Sequence, residues 1–262
     1  MQKHLRMLRR QLRDLRGYVQ FDRRGNEVVR RSDFKQCPRP VLLLYGFLST
    51  RRVMEVLEHR LRRDGYCVWS INLGGLFDAF NTRGIDESAE KVREKVERLY
   101  ARYPLGPLSI IGHSKGGLIG RYYVKRLGGD ERVRNLITLG TPHVGTPSAY
   151  FGIATIGLFA KSVWQMTPRS RFIRRLNMGA FPRGVRSVSI YSQEDGLSPF
   201  PSCVLDTSSE PNTFNFEVPG VAHRDYLHSR NVYQVIRREL ALGYGDPAPE
   251  EKTGATPLSQ IG

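Results

Sequence analysis

The stretch that decides the fold is Leu108-Ser109-Ile110-Ile111-Gly112-His113-Ser114-Lys115-Gly116-Gly117-Leu118-Ile119-Gly120. Its first half is an apolar run typical of a buried strand, and a helical pattern begins directly after Gly-His-Ser-Lys-Gly. So sharp a turn strains the backbone of Ser114 and requires small neighbours, here Gly112 and Gly116. We expect the Ser114 hydroxyl to stand clear of the sheet edge as a nucleophile. The alternative is a glycine-rich strand–helix turn that holds a serine by chance.

The net charge of +16 over 262 residues is the unusual bulk property of the chain. A chain of this length suits one α/β domain with a sizeable core. The charge favours contact with anionic partners, such as phospholipid headgroups or acidic proteins, although it can also serve solubility alone. No basic pattern matches a nucleic-acid-binding fold, so we expect no nucleic acid partner.

The three cysteines, Cys37, Cys67 and Cys203, are few and odd in number. Their spacing matches neither a zinc site nor a disulfide framework. Cys67 falls in an apparent buried strand, where a free thiol behaves as a small hydrophobic residue. The set is compatible with a reducing compartment.

Residues 1–34 form a basic segment ahead of the main domain. Leucines at positions 5, 8, 12 and 15 share one helical face, and arginines cover much of the rest. This pattern predicts either an amphipathic helix on an anionic membrane or an ordinary surface helix, followed by a hairpin. No long apolar run follows the charges, so we predict no secretory signal and a cytoplasmic or peripheral membrane location.

Apolar runs and helical patterns alternate along residues 35–242. This alternation predicts an α/β fold with a mostly parallel central sheet and helices on both faces. Asp86 or Ser88 is the expected N-cap of the helix that ends before Pro104. From residue 243 onward, Gly, Pro, Glu, Thr and Ser dominate, which predicts a disordered tail. The predicted strands cover residues 41–45, 67–71, 108–111, 135–139, 187–191 and 214–218.

A serine hydroxyl is a weak nucleophile at neutral pH and needs a base, which an acid orients. In a parallel sheet such groups collect beyond the carboxyl ends of the strands. Asp195 directly follows a predicted strand and is the favoured acid, with Glu194 and the more distant Asp206 as alternatives. The other interpretation of Asp195 is a turn aspartate that bonds only its own backbone.

His223 lies in the loop after the last predicted strand and is the favoured base. His228 falls near the start of the final helix, where a histidine more often serves packing or the surface. The order Ser114, Asp195, His223 along the chain is the one expected for a nucleophile on a strand–turn–helix. His143, in a rigid turn after Pro142, is expected to hold its loop.

An oxyanion formed at Ser114 needs two hydrogen-bond donors. The backbone amide of Lys115, at the start of the helix, is one candidate, and that of Phe47, in the loop after the first central strand, is the other. Gly46 allows the backbone of that loop to turn. We find no metal-ligand spacing and expect no metal or cofactor.

With these residues assembled, the chain resembles the α/β-hydrolase superfamily, and within it the bacterial triacylglycerol lipases and lipase-like esterases. The resemblance implies that Ser114 is the nucleophile, that Asp195 and His223 complete the triad, and that Phe47 and Lys115 supply the oxyanion amides. The chain departs from secreted lipases at Tyr45, where they usually carry histidine, and the calcium ligands of some relatives do not map onto it. The matching pieces are residues 44–47, 112–117, 138–146, 195–196 and 220–223.

A long insertion at residues 148–183 has an apolar first half and a basic second half. The apolar stretch is too short to span a membrane, and the position of the insertion above the expected site favours a helical lid over a pair of core helices. We expect a serine hydrolase that cleaves carboxylic esters of lipid-like acyl chains. A thioesterase, phospholipase or acyltransferase would use the same residues, and a non-catalytic protein that binds membranes or acidic partners is the alternative of another class.

Overall fold

The computed structural model describes residues 23–27, 32–76, 80–156, 160–208 and 211–247. The basic helix and the hairpin predicted in residues 1–34 therefore lie largely outside the described residues. The short helical turn Arg23–Asn26 falls within them, and the Asn26 side chain accepts a hydrogen bond from the Arg51 amide at 2.9 Å. This contact ties the segment to the domain.

Among the described residues, six strands form one parallel sheet, and across it lie in order β2 Cys67–Ser70, β1 Pro40–Leu44, β5 Leu108–His113, β6 Val133–Leu139, β7 Arg186–Tyr191 and β8 Thr213–Glu217. The central strands Pro40–Leu44 and Leu108–His113 are buried throughout, as parallel strands in α/β folds are, whereas the edge strands Cys67–Ser70 and Thr213–Glu217 are partly exposed. The predicted α/β fold with a mostly parallel central sheet is confirmed. A separate antiparallel pair consists of β3 Gly75–Leu76 and β4 Phe80–Asn81.

Helices cover the sheet in two groups. The helix Ile85–Arg102 packs on the helix Lys115–Arg126, whose Gly120 lies close to side chains of β1, β5 and β6. The helix Glu55–Arg63 meets the helix Arg230–Tyr244 through a 2.8 Å hydrogen bond from the Tyr233 hydroxyl to Asp64. The bounds in the described chain are α1 Glu55–Arg63, α2 Ile85–Arg102, α3 Lys115–Arg126, α4 Ser148–Ile156, α5 Lys161–Gln165, α6 Arg171–Asn177 and α7 Arg230–Tyr244.

Three boundaries differ from the sequence prediction. The prediction that Asp86 or Ser88 is the N-cap of α2 is wrong, because the N-cap is Gly84 and both residues lie inside the helix. The negative charge of Asp86 in the first turn still interacts favourably with the helix dipole. Residues 72–83, where no strand is predicted, contain the β3–β4 pair. α7 continues to Tyr244, past the predicted start of the tail, because Gly243 packs directly against Asn135.

Cys37 and Cys67 form a disulfide, which contradicts the expectation from their spacing. Cys67 begins β2, and its amide donates to the Arg39 carbonyl at 3.1 Å, so strand pairing brings the two cysteines together. Cys203 is a buried free thiol. Along the described residues, no helix is both long enough and apolar enough to cross a membrane.

Candidate active site

Ser114 occupies the tight turn between β5 and α3. Its φ of 54° and ψ of −126° are unfavourable for a residue with a side chain. A Cβ at Gly112 would lie 2.5 Å from the Gly117 backbone, and one at Gly116 would lie 2.1 Å from the Leu44 carbonyl oxygen. The close packing of α3 against the strand ends therefore requires the two glycines that the sequence motif provides.

Neighbouring strands fix the conformation of this turn. The Ser114 amide donates to the Leu139 carbonyl, at the end of β6, over 2.9 Å. The Ser114 carbonyl accepts a 2.9 Å bond from the Thr141 hydroxyl. Leu139 and Thr141 flank Gly140, so hydrogen bonds to the amide and to the carbonyl of Ser114 offset the strain at this residue.

The structure brings Asp195 and His223 together. Nδ1 of His223 lies 2.8 Å from Oδ2 and 3.0 Å from Oδ1 of Asp195, and both residues are buried. Asp195 also accepts from the amides of Leu197 and Ser198 at 2.9 and 2.8 Å. The carboxylate thus bonds its own turn and the histidine at once, so the two interpretations of Asp195 are compatible. Because it accepts from Nδ1, it leaves Nε2 of the neutral ring as the basic nitrogen.

The alternative acids occupy other positions. Asp206 is exposed and accepts from the amide and hydroxyl of Ser208. Glu194 accepts from the Ser192 hydroxyl at 2.7 Å and from the Gly220 amide at 3.1 Å, so it holds the loop that leads to the favoured base. His228 is exposed, and its carbonyl accepts from Arg60 at 2.8 Å.

His113 is a site residue that sequence reasoning missed. Its Nε2 lies 2.7 Å from the His223 carbonyl oxygen, and the two rings lie 4.8 Å apart between centroids. Since a carbonyl only accepts, Nε2 of His113 carries the proton. Burial, with the nearby His223 as a second cause, lowers the pKa of His113 to about 3, so the ring is neutral at physiological pH. The sequence places His113 beside Ser114 but gives no indication of its partner.

The loop after β6 forms one wall beside the carboxylate. Gly140 has a φ of +51°, and a Cβ there would lie 2.7 Å from Oδ2 of Asp195 and 2.6 Å from the Tyr226 ring. Burial is the main cause that raises the pKa of Tyr226, and the nearby Asp195 carboxylate adds to it. A side chain at position 140 would therefore displace the acid or the tyrosine.

Phe47 and Lys115 lie near each other at the carboxyl end of the sheet. Lys115 is the first residue of α3, and its backbone amide has no acceptor within the helix. Its Nζ lies 5.9 Å from the centroid of the Phe47 ring. The Lys115 side chain is fully buried, an unexpected position for a lysine next to a nucleophile.

His143 is a buried residue of the loop after β6. Its Nε2 lies 3.1 Å from the Thr138 hydroxyl, and its carbonyl accepts from Asn177 at 3.0 Å. Burial lowers the pKa of His143 well below its usual value. These contacts agree with the expectation that His143 holds its loop. In the described part of the chain, no three His, Cys, Asp or Glu side chains cluster as metal ligands would.

Comparisons with known proteins support the fold. A family model described as the alpha/beta hydrolase fold matches residues 39–162. Triacylglycerol lipases of Pseudarthrobacter phenanthrenivorans and Burkholderia plantarii are each 31% identical over 120 residues, which cover 43% of this chain and 35% and 32% of those proteins. The match thus spans about a third of the length of these curated relatives.

Solved structures show the same fold. Aspergillus fumigatus lipase B superposes with a TM-score of 0.62 at 18% identity, over 82% of this chain and 55% of that one. Bacillus licheniformis lipase BlEst2 in its mature form gives a TM-score of 0.60 at 16% identity, over 82% of this chain and 96% of that one. At these identities the likeness supports the fold alone.

Proposed function

The chain has the α/β-hydrolase fold and is similar in sequence to lipases, and from this premise we propose that it is a serine hydrolase of carboxylic esters with lipid-like acyl chains. The single observation that carries the proposal is the buried, hydrogen-bonded pair of Asp195 and His223. The backbone carbonyl of His223 is bonded to His113, the residue before the strained Ser114. A structural aspartate–histidine pair needs no strained serine beside it, whereas acyl transfer uses all three groups.

The proposed reaction has two stages. Nε2 of His223 takes the proton of Ser114 Oγ while that oxygen attacks the ester carbonyl, and the oxyanion is held by the amides of Phe47 and Lys115. His223 then gives its proton to the departing alcohol, which leaves an acyl group on Ser114. Water attacks this acyl-enzyme with His223 again as base, and the carboxylic acid is released.

The lipid-like substrate is supported by the insertion at residues 148–183, which we propose as a lid. Tyr150, Phe151 and Trp164 on its first two helices are each more than half exposed. α5 is bonded to the body through Gln165, which accepts from the Ile85 amide at 2.6 Å and donates to Asp86 at 2.8 Å. A lid movement would therefore be concentrated in α4, whose sequence is apolar on all sides.

An open groove of about 580 Å³ borders the insertion. Its wall combines apolar side chains with two guanidinium groups, and none of Ser114, Asp195 and His223 lines it, so we assign the groove to the surface of the proposed lid and not to the acyl site. The lining residues are Val144, Arg169, Ile173, Arg174, Asn177 and Met178.

The charge of this region supports contact with an anionic lipid surface. Residues 132–193 contain nine lysines and arginines and no aspartate or glutamate. Exposed arginines on and beside α6 and exposed aromatic side chains of α4 and α5 thus belong to one insertion that has no acidic residue. Aromatic and basic side chains together are the composition that binds membrane interfaces.

Labelling by a fluorophosphonate tests the proposed function. We expect the wild-type protein to be labelled and to hydrolyse nitrophenyl esters, and Ser114→Ala to lose both properties while it stays folded. A folded wild-type protein that is not labelled would support the non-catalytic alternative. Parallel assays with esters of increasing acyl length, a thioester, a phospholipid and an acceptor alcohol would separate the lipase from the thioesterase, phospholipase and acyltransferase.

A further inference from the structure

The side chain of Lys115 is a buried cation whose three hydrogen bonds all go to uncharged acceptors. Nζ donates to the backbone oxygen of Asn81 at 3.1 Å, to the Asn81 side-chain oxygen at 2.8 Å and to the Arg83 carbonyl at 2.5 Å. Burial lowers the pKa of Lys115 well below its usual value, although Glu87 and Asp86 act in the opposite direction. A buried lysine is costly, so its retention here needs a reason.

Asn81 connects Lys115 to the loop after β1 through further hydrogen bonds. Its side-chain amide donates to the Tyr45 carbonyl at 2.8 Å, and its backbone amide donates to the Ser49 carbonyl at 3.2 Å. These two carbonyls bracket residues 46–48, which include Phe47. The loop is strained between them, because Leu48 has a φ of 51°. The hydrogen bonds of Asn81 therefore hold a segment that would otherwise relax.

From these contacts we propose that Lys115 is a positioning residue that sets both donors of the oxyanion hole. Its backbone amide is one donor, and its side chain, through Asn81, fixes the loop that carries the other, the Phe47 amide. The chain of bonds runs from Nζ to Asn81 and from Asn81 to both ends of the 45–49 loop. The inference rests on the proposed function, because the oxyanion hole has a role only in acyl transfer.

The shape of the lysine side chain explains why this residue type fits. A single ammonium group presents three donors, and here three oxygen acceptors meet it from one segment, residues 81–83. A methionine would fill a similar volume but could not donate to any of these three acceptors. Lys115→Met therefore removes the bonds with little change in packing.

Amide hydrogen exchange measures the positioning without any need for catalysis. In a Ser114→Ala background, Lys115→Met should speed amide exchange in residues 45–50 at least about tenfold and leave the exchange rates in β6 unchanged. The reason is that local opening of this loop costs less free energy once the hydrogen bonds of the Lys115 side chain are lost. Lys125→Met is the matched control, since Lys125 lies on the same helix and donates to the Gly179 carbonyl. Unchanged protection of residues 45–50 would overturn the proposal.

Kinetics on a nitrophenyl ester provide the second readout. With Ser114 intact, Lys115→Met should lower kcat about tenfold or more with KM nearly unchanged, and should weaken binding of a tetrahedral boronic acid in proportion to kcat/KM. A rise in KM alone, with boronate affinity retained, would contradict it. If Lys115→Met does not fold, Asn81→Ala breaks the same chain of bonds and must give both effects. A wild-type protein without esterase activity would refute the proposed function, while the exchange experiment would still decide the role of Lys115.

Discussion

Nε2 of His113 donates a 2.7 Å hydrogen bond to the backbone carbonyl of His223, so the residue before the candidate nucleophile holds the loop of the candidate base. Both side chains are buried, with 4.8 Å between their ring centroids. The bond joins the end of β5 to the loop after β8 across the sheet. The relative position of Ser114 and His223 therefore depends on the buried, neutral ring of His113.

His113→Phe keeps an aromatic ring and removes this donor. We expect kcat/KM for a nitrophenyl ester to fall on the order of tenfold, because an unsatisfied buried carbonyl costs about 1–3 kcal/mol and each tenfold corresponds to about 1.4 kcal/mol. Steady-state kinetics check this. His59→Phe, on the exposed side of α1, is the control and should behave as wild type. Wild-type activity in His113→Phe would show that the bond does not position the base.

The depressed pKa of His113 also predicts acid sensitivity of the fold. The unfolded chain binds a proton at this histidine below about pH 6.5, whereas the folded protein binds it only near its pKa of about 3. The stability contribution of His113 is therefore present above about pH 6.5 and is lost as the pH falls, by about 1.4 kcal/mol per pH unit. His143 acts in the same direction. The free energy of unfolding, measured with urea between about pH 4 and 6, should change less steeply with pH in His113→Phe than in the wild type. An equal dependence on pH in the two proteins would contradict the assignment.

Gly140→Ala should disturb the acid. The new Cβ would lie 2.7 Å from Oδ2 of Asp195, so we expect a marked fall in kcat/KM as well as lower stability. Gly128→Ala is a matched control, because Gly128 has a φ of +73° with nothing within 4 Å of the added Cβ. Both variants should lose about 1–2 kcal/mol from backbone strain, and only Gly140→Ala should lose activity beyond that. Equal kinetics in the two variants would rule out a positional effect at Asp195.

The Cys37–Cys67 disulfide should stabilise the fold. The cysteines are 30 residues apart, and a closed loop of this size reduces the entropy of the unfolded chain by about 3–4 kcal/mol at 25 °C. Denaturant unfolding of the double variant Cys37→Ala/Cys67→Ala should show a loss of this order. Thiol titration of the unfolded, unreduced protein should find one thiol per chain, from Cys203. Three thiols would show that the bond does not form.

Contact with anionic lipid should be visible through Trp164. The chain has two tryptophans, and Trp69 is buried whereas Trp164 is 55% exposed. In Trp69→Phe, emission should shift to shorter wavelength with vesicles rich in phosphatidylglycerol, and high salt should weaken the shift. Arg171→Gln/Arg175→Gln should reduce binding more than Arg93→Gln/Arg98→Gln on α2, a matched pair of exposed arginines. Equal response to neutral vesicles would refute the electrostatic contribution.

Local patterns in the sequence were enough to predict most of the elements and the order of the candidate residues. Period and turn residues predicted the strand that begins at Leu108, the turn at Ser114 and the helix after it, because these depend on neighbours in the chain. The rule that parallel strands share a carboxyl edge then predicted that Asp195 and His223 would lie near each other. Their 2.8 Å contact agrees with that prediction.

The contacts that hold the candidate site in place were decided only by the tertiary structure. His113 and His223 are 110 residues apart, Lys115 and Asn81 are 34 apart, and Cys37 and Cys67 are 30 apart. No local periodicity specifies such partners, since each depends on how whole strands and helices pack. The sequence by itself therefore determined the fold class and the order of the candidate residues, and packing determined which buried groups hold those residues in place.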